Sequence, residues 1–234
     1  MLFARRGIDT YTKLCLNRPL ANNSTSFLDG SLYNRTVTVY GDTKWSNGAT
    51  KFGRNTIYFD GTGDYLLVAD SDDFDLGSGN FTIDTWVNLS SPPSTGTKRI
   101  ICKWDGASMG ASFLFFFWWS GTANNLIFRW SIDGLGTPVL QVAGVVSIST
   151  GQWHHCAVVK SSATSINLYF DGNLVGASST EFTAYANSTP LTIGCNLISG
   201  SINNLFNGYM AMPRISKGIA RWTSNFTPPG NPYV

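Results

Sequence analysis

The sequence predicts an all-β fold: two antiparallel sheets packed face to face in a single domain. Three observations predict it. Helical periodicity is nearly absent, while runs of period 2, bounded by Gly, Asn, Asp and Pro, recur along most of the chain. The 234 residues are 43% hydrophobic and 14% aromatic, enough for one large core. No linker, repeat or low-complexity block divides the chain, and Ser90-Ser91-Pro92-Pro93-Ser94 reads as a loop because strand signals resume at once.

Taken in order, strands are expected near 11–17, 36–40, 56–60 and 64–69. The clearest run follows, Phe81 to Val87, with Phe81, Ile83 and Val87 on one face and Thr82, Asp84 and Trp86 on the other. The polar partners of Trp86 assign it to an open face, where Trp86→Ala should cost less than ~2 kcal/mol, below the range of a buried tryptophan. Strands near 98–104 and 112–119 come next. In Phe113 to Trp119 both alternating faces are aromatic, so one meets the core and the other a ligand, a partner or another segment. Leu126 to Asp133 alternates again, with Leu126, Phe128, Trp130 and Ile132 inward and Arg129, Ser131 and Asp133 outward. Further strands are expected at 138–142, 153–160, 166–170 (closed by the turn pair Asp171-Gly172), 190–194 and 207–215. Such short strands with tight turns make a sandwich.

Composition excludes several functions. Charged residues are only 13%, and the net charge is +2, with no basic run longer than Arg5-Arg6. A phosphate-backbone footprint is missing, so nucleic acid is not an expected partner. No apolar stretch reaches the ~20 residues of a membrane helix. The opening Met1-Leu2-Phe3-Ala4-Arg5-Arg6 lacks the order of a signal peptide. Cys15, Cys102 and Cys156 sit in apolar strand-like runs and, with Cys195, are expected as reduced core residues; no pair has zinc-site spacing.

Several motifs in sequence resemble one family. Phe59-Asp60-Gly61-Thr62-Gly63-Asp64-Tyr65-Leu66 resembles the FDG-x-x-DYL signature of laminin G-like domains in the concanavalin A-like superfamily. Phe81 to Val87, Gln152-Trp153-His154-His155-Cys156-Ala157-Val158, Asn167-Leu168-Tyr169-Phe170-Asp171-Gly172 and Leu191-Thr192-Ile193-Gly194 resemble its later strands. The resemblance covers about residues 10–230 and implies a concanavalin A-like jelly roll over 9–234, preceded by an arm, 1–8. Asp9 to Leu16 and the closing segment Arg214 to Pro229 are similar to the variant found in bacteriophage tail and virion proteins. That variant implies a virion protein, assembled in the host cytoplasm as an oligomer or as part of a larger particle, with capsid or tail proteins as partners. The family's acidic pair in the strand at 207–215 is absent here, which removes any role carried by those carboxylates.

The chemistry-bearing residues argue for binding. Glycoside hydrolysis needs two carboxyl groups about the scissile bond. The chain has one glutamate, Glu181, and Asp84 is the only carboxylate in the middle of a clear strand, so no enzyme is expected. Gly106-Ala107-Ser108-Met109-Gly110 matches a nucleophile elbow without the helix that motif requires. His154 and His155 alternate across one strand and read as structural. The aspartates read either as turn-setters or as calcium ligands, with Asp64 and Asp105 the candidates, the latter roughly where the related pentraxins bring calcium-binding residues. No cofactor is required. Indole faces suit sugar rings, so Trp86, Trp104, Trp118 and Trp119 are the carbohydrate-binding candidates. Arg214, Lys217, Arg221, Trp222, Phe226 and Tyr233 are either interface residues or a seal on the sandwich's own edge. Two functions follow, a virion decoration or tail-associated protein and a carbohydrate-binding receptor-recognition module, with a glycan hydrolase as a remote third.

Overall fold

The computed structural model describes residues 7–93, 96–106, 110–136 and 140–234. The strands are β1 (Thr12–Cys15), β2 (Val37–Tyr40), β3 (Lys44–Lys51), β4 (Arg54–Asp60), β5 (Tyr65–Val68) and β6 (Phe81–Leu89). Next come β7 (Thr97–Trp104), β8 (Ala111–Trp119), β9 (Asn124–Trp130), β10 (Leu140–Val146), β11 (His154–Ser162) and β12 (Ser165–Phe170). The chain closes with β13 (Asn173–Ser178), β14 (Leu191–Ile193), β15 (Asn196–Ile198), β16 (Ser201–Asn203) and β17 (Asn207–Lys217). One 3-10 turn, Asp72–Phe74, is the only helix among the described residues.

Eight strands form one sheet in the order β13-β12-β11-β6-β17-β4-β3, with β1 added to the second half of β17. Seven form the other, β10-β9-β8-β7-β14-β5-β2, and all pairings are antiparallel. Between them lies one core containing Phe59, Phe81, Ile83, Val87, Phe113, Phe115, Phe117, Phe128, Trp130, Val158, Leu168 and Ile215. Period 2 puts these side chains on the inner faces. The sheets nearly touch where β10 passes β13. A Cβ on Gly144 would sit 2.4 Å from the Val175 carbonyl oxygen, and one on Gly176 would sit 2.5 Å from that of Ala143. Only glycine permits this approach.

β6 corrects the sequence reading. Its two faces divide as expected, but neither is open, and all nine residues are buried. Trp86 is 8% exposed, packed with Ile8, Cys15, Ala211, Met212 and Tyr233. The cover comes from remote segments: the start of the chain, the Phe52 hairpin tip and the tail after β17. Ile8, expected in a separate arm, belongs to this layer; residues 1–6 of that arm lie outside the described residues.

The alternation read through Ile132 stops two residues earlier. β9 ends at Trp130, so Ile132, expected inward, is 54% exposed, while Ser131, expected outward, is buried and bonds Asp133 and the Leu135 carbonyl. β3, β13, β15 and β16 were not expected as strands. All four cysteines are buried free thiols. Burial pushes Cys102 and Cys195 up to about 12, and Cys15 and Cys156 upward as well.

Candidate functional site

The outer face of the eight-stranded sheet is closed by a charged lock. Arg214 and Asp84 face each other from β17 and β6, with Arg214 Nε 2.8 Å from Asp84 Oδ1. Tyr233 donates its hydroxyl to Asp84 Oδ2, lies 3.7 Å under the guanidinium, and accepts from Asn17 Nδ2 through its carbonyl. His155 Nε2 is 3.5 Å from Asp84 Oδ2. Burial pushes the Asp84 carboxyl up, but Arg214 and His155 outweigh it and hold the group at about 2. Trp222 and Phe226 stack at 4.1 Å and pack on Ala157, Val159 and Tyr169. Lys217 bonds the Asp72 carbonyl, and Arg221 pairs with Asp9 at 2.9 Å. Arg214 and Tyr233, expected as candidates for an outer interface, are therefore turned inward, 1% and 5% exposed.

The other sequence candidates scatter. Trp104 is 6% exposed, under the β15–β16 hairpin beside Cys102 and Leu114. Trp119 is half-buried, and Trp86 is sealed as described. Asp105 holds that same hairpin, accepting from the amides of Ser199 and Gly200. Asp64 accepts from the amides of Asp42 at 2.7 Å and Asp60 at 2.9 Å. The carboxylates of Asp42, Asp60 and Asp64 lie within 4.8 Å of one another and are, among the described residues, the group that could hold a cation. Burial, with the charges of Asp60 and Asp42 adding, pushes Asp64 up. By strand register Asp64 and Asp105 lie some six rows apart, about 20 Å, so they do not form one site. Ser108 of the elbow-like motif lies outside the described residues.

Trp118 alone of the four tryptophans is fully presented, 42% exposed on the outer face of the seven-stranded sheet. Register builds its surroundings. Trp118 pairs with Asn125 and Thr97, and Asn125 with Val145, in one row. The next outward row carries Arg99, Phe116, Ile127 and Ala143, and the one beyond it Arg129 and Gln141. Both guanidinium groups lie over Phe116, at 4.1 Å for Arg99 and 5.6 Å for Arg129. Arg99 is 7% exposed and bonds Asn196 Oδ1 through Nε, while its Nη1 has no acceptor. Burial lowers the Arg99 guanidinium to about 10, and Arg129 nearby acts in the same direction. Gln141 Oε1 accepts from Arg129 Nε and Nη2. An exposed indole beside amides and guanidinium groups suits a polar ligand with an apolar C–H face. Sequence reading found Trp118 and placed Arg129 outward but missed Arg99. The signal was an arginine in a strand opposite an aromatic run.

Residues 60–221 match the family model of the concanavalin A-like lectin/glucanases superfamily. The chain belongs to this superfamily. Several solved structures share its jelly roll. The binding domain of Paraclostridial Mosquitocidal Protein 1 aligns with a TM-score of 0.67 at 15% identity over 88% of this chain. The binding domain of botulinum neurotoxin serotype C1 aligns at 0.65 and 17% over 89%. That of botulinum neurotoxin DC, solved in complex with SialylT, aligns at 0.62 and 15% over 90%. At these identities the likeness is one of fold. The superfamily domain here spans 49% of each of those chains. No curated protein sequence matches it.

Proposed function

We propose that this concanavalin A-like domain is a non-enzymatic binding module that takes glycans on the Trp118 face. The observation that carries the reading is the large indole left 42% exposed on an outer sheet face, with Asn125 beside it in the same row and Arg129 and Gln141 two outward-facing rows beyond. Membership of a superfamily of lectins and glucanases supports a saccharide ligand, and the SialylT complex of one structural neighbour is in keeping with it. The state of Asp84 favours binding over hydrolysis: the one carboxylate at the centre of a long strand is bonded to Arg214 and Tyr233 and shut from solvent. Calcium, if used, has Asp42, Asp60 and Asp64 as its candidate ligands.

The finer part of the proposal is a virion location, as a decoration or tail-associated protein. It rests on the similarity of Asp9 to Leu16 and Arg214 to Pro229 to phage virion proteins. Mass spectrometry of purified particles checks that location by stoichiometric recovery of the chain. A glycan array tests the binding: the wild-type protein should retain a defined set of glycans, and Trp118→Ala should lose at least about tenfold in affinity with an unchanged melting curve. Binding untouched by that substitution would remove the assigned face.

A further inference from the structure

We propose that the ligand of the Trp118 face is an acidic glycan, its carboxylate held by the half-exposed Arg129 and drawn by the charge of the embedded Arg99 beneath it, while a sugar ring lies on Trp118. This rests on the glycan-binding reading above and narrows the ligand class. The argument starts from charge. A buried cation needs a partner, because desolvation outweighs whatever packing it gains. Elsewhere the fold observes this rule: buried Arg214 has Asp84, and buried Lys103 has Asp70 at 2.7 Å and Asp75 at 3.1 Å. Lys160, buried without a carboxylate, still donates to the Ser78 carbonyl. Arg99 has neither for its Nη1, and among the described residues no ion pair includes Arg99 or Arg129.

Two like charges are also held over one ring, Phe116, which is unfavourable until an anion joins them. Their bases are braced in advance. Asn196 Oδ1 accepts from both Arg99 Nε and Asn204 Nδ2, and Asn204 Oδ1 accepts from Thr97 Oγ1. Gln141 braces Arg129 in the same way. Guanidinium forks match carboxylates in shape, and prior ordering lowers the cost of binding. Trp118 stands two residues along β8 from Phe116, about 7 Å, roughly one sugar unit from the arginine pair. Two arginines with a net charge of +2 are too few for a nucleic acid backbone.

The test titrates the full chain with uronate- and sialate-bearing oligosaccharides, each beside its methyl ester, and with a Glu-rich peptide. Calorimetry gives affinity, and NMR follows the Trp118 indole. The expected result is binding of acidic sugars, at least about tenfold weaker binding of the esters, loss of affinity with salt, and a shift of the Trp118 signal. Arg129→Gln should erase the acid-over-ester preference while leaving the melting curve unchanged; the half-exposed Arg129 is chosen because Arg99 is embedded. Esters bound as tightly as acids would overturn the charge assignment and leave the glycan reading standing. No binding of either sugar form would overturn both. Capture of the peptide in place of sugars would make the face a protein-docking surface and overturn the proposal.

Discussion

Trp86→Ala should be among the most damaging single truncations in this fold. A buried tryptophan removes roughly 150–250 Å² from water, which at about 25 cal/mol per Å² is about 4–6 kcal/mol as an upper bound. Two edge-on ring contacts, to Phe52 at 5.9 Å and His155 at 5.1 Å, and the Lys51 ammonium 3.5 Å from the indole centre are lost with it. One gain offsets them. The indole N–H is buried without an acceptor, and deleting such a group returns about 1–3 kcal/mol. The balance is a loss of about 3–5 kcal/mol, the usual range for tryptophan truncation in a core. Taking an m-value near 3 kcal/mol/M, the upper end for urea, the midpoint should fall by about 1–1.7 M. Far-UV circular dichroism reads this without relying on tryptophan fluorescence, with Trp118→Ala as the exposed control. A fall below about 0.5 M would show that the layer over Trp86 carries little of the stability and would refute the packing argument.

Two further outcomes follow from the same layer. Asp84 has its folded pKa depressed from 3.8 to about 2, so its pairing stabilises the protein fully above the unfolded value and is lost as pH falls from about 4 toward 2. The loss is on the order of 2 kcal/mol, and acid titrations of urea midpoints should show Asp84→Asn lacking that slope. Removing residues 217–234 uncovers Ala157, Val159 and Tyr169 and takes away Tyr233. The truncated chain should be insoluble, and a soluble, cooperatively melting product would mean the tail is an appendage.

Much of the architecture was legible because it is written locally. Alternation from Phe81 to Val87 names Phe81, Ile83 and Val87 as one face of β6, which is the core face, and Asp171-Gly172 marks the turn between β12 and β13. The unexpected strands have weak local signals: β3 contains Ser46-Asn47-Gly48, which reads as a turn, and β13 contains Gly176. What escaped is set by contacts distant in sequence. Whether Trp86 meets solvent depends on Tyr233 and Ile8, and no window around β6 contains either. The site divides the same way. Trp118 was legible only as one of four tryptophans, because both faces of β8 are aromatic, and the isolation of Arg99 depends on which acids the fold brings near it.

The close passage of Gly144 against Val175 and Gly176 against Ala143 bears on how the protein behaves at high concentration. Open sheet edges invite pairing with other chains. Here β10 and β13, the last strands of their sheets, shield each other, so neither edge accepts a strand without separating the layers. The opposite edges are β2 and β3. β2 is only four residues long, and β3 carries Lys44 and Lys51 with Asn47-Gly48 between them, features that resist strand addition. At high concentration, neighbouring copies are left to meet through side chains on the broad sheet faces, and the backbone is withheld from them.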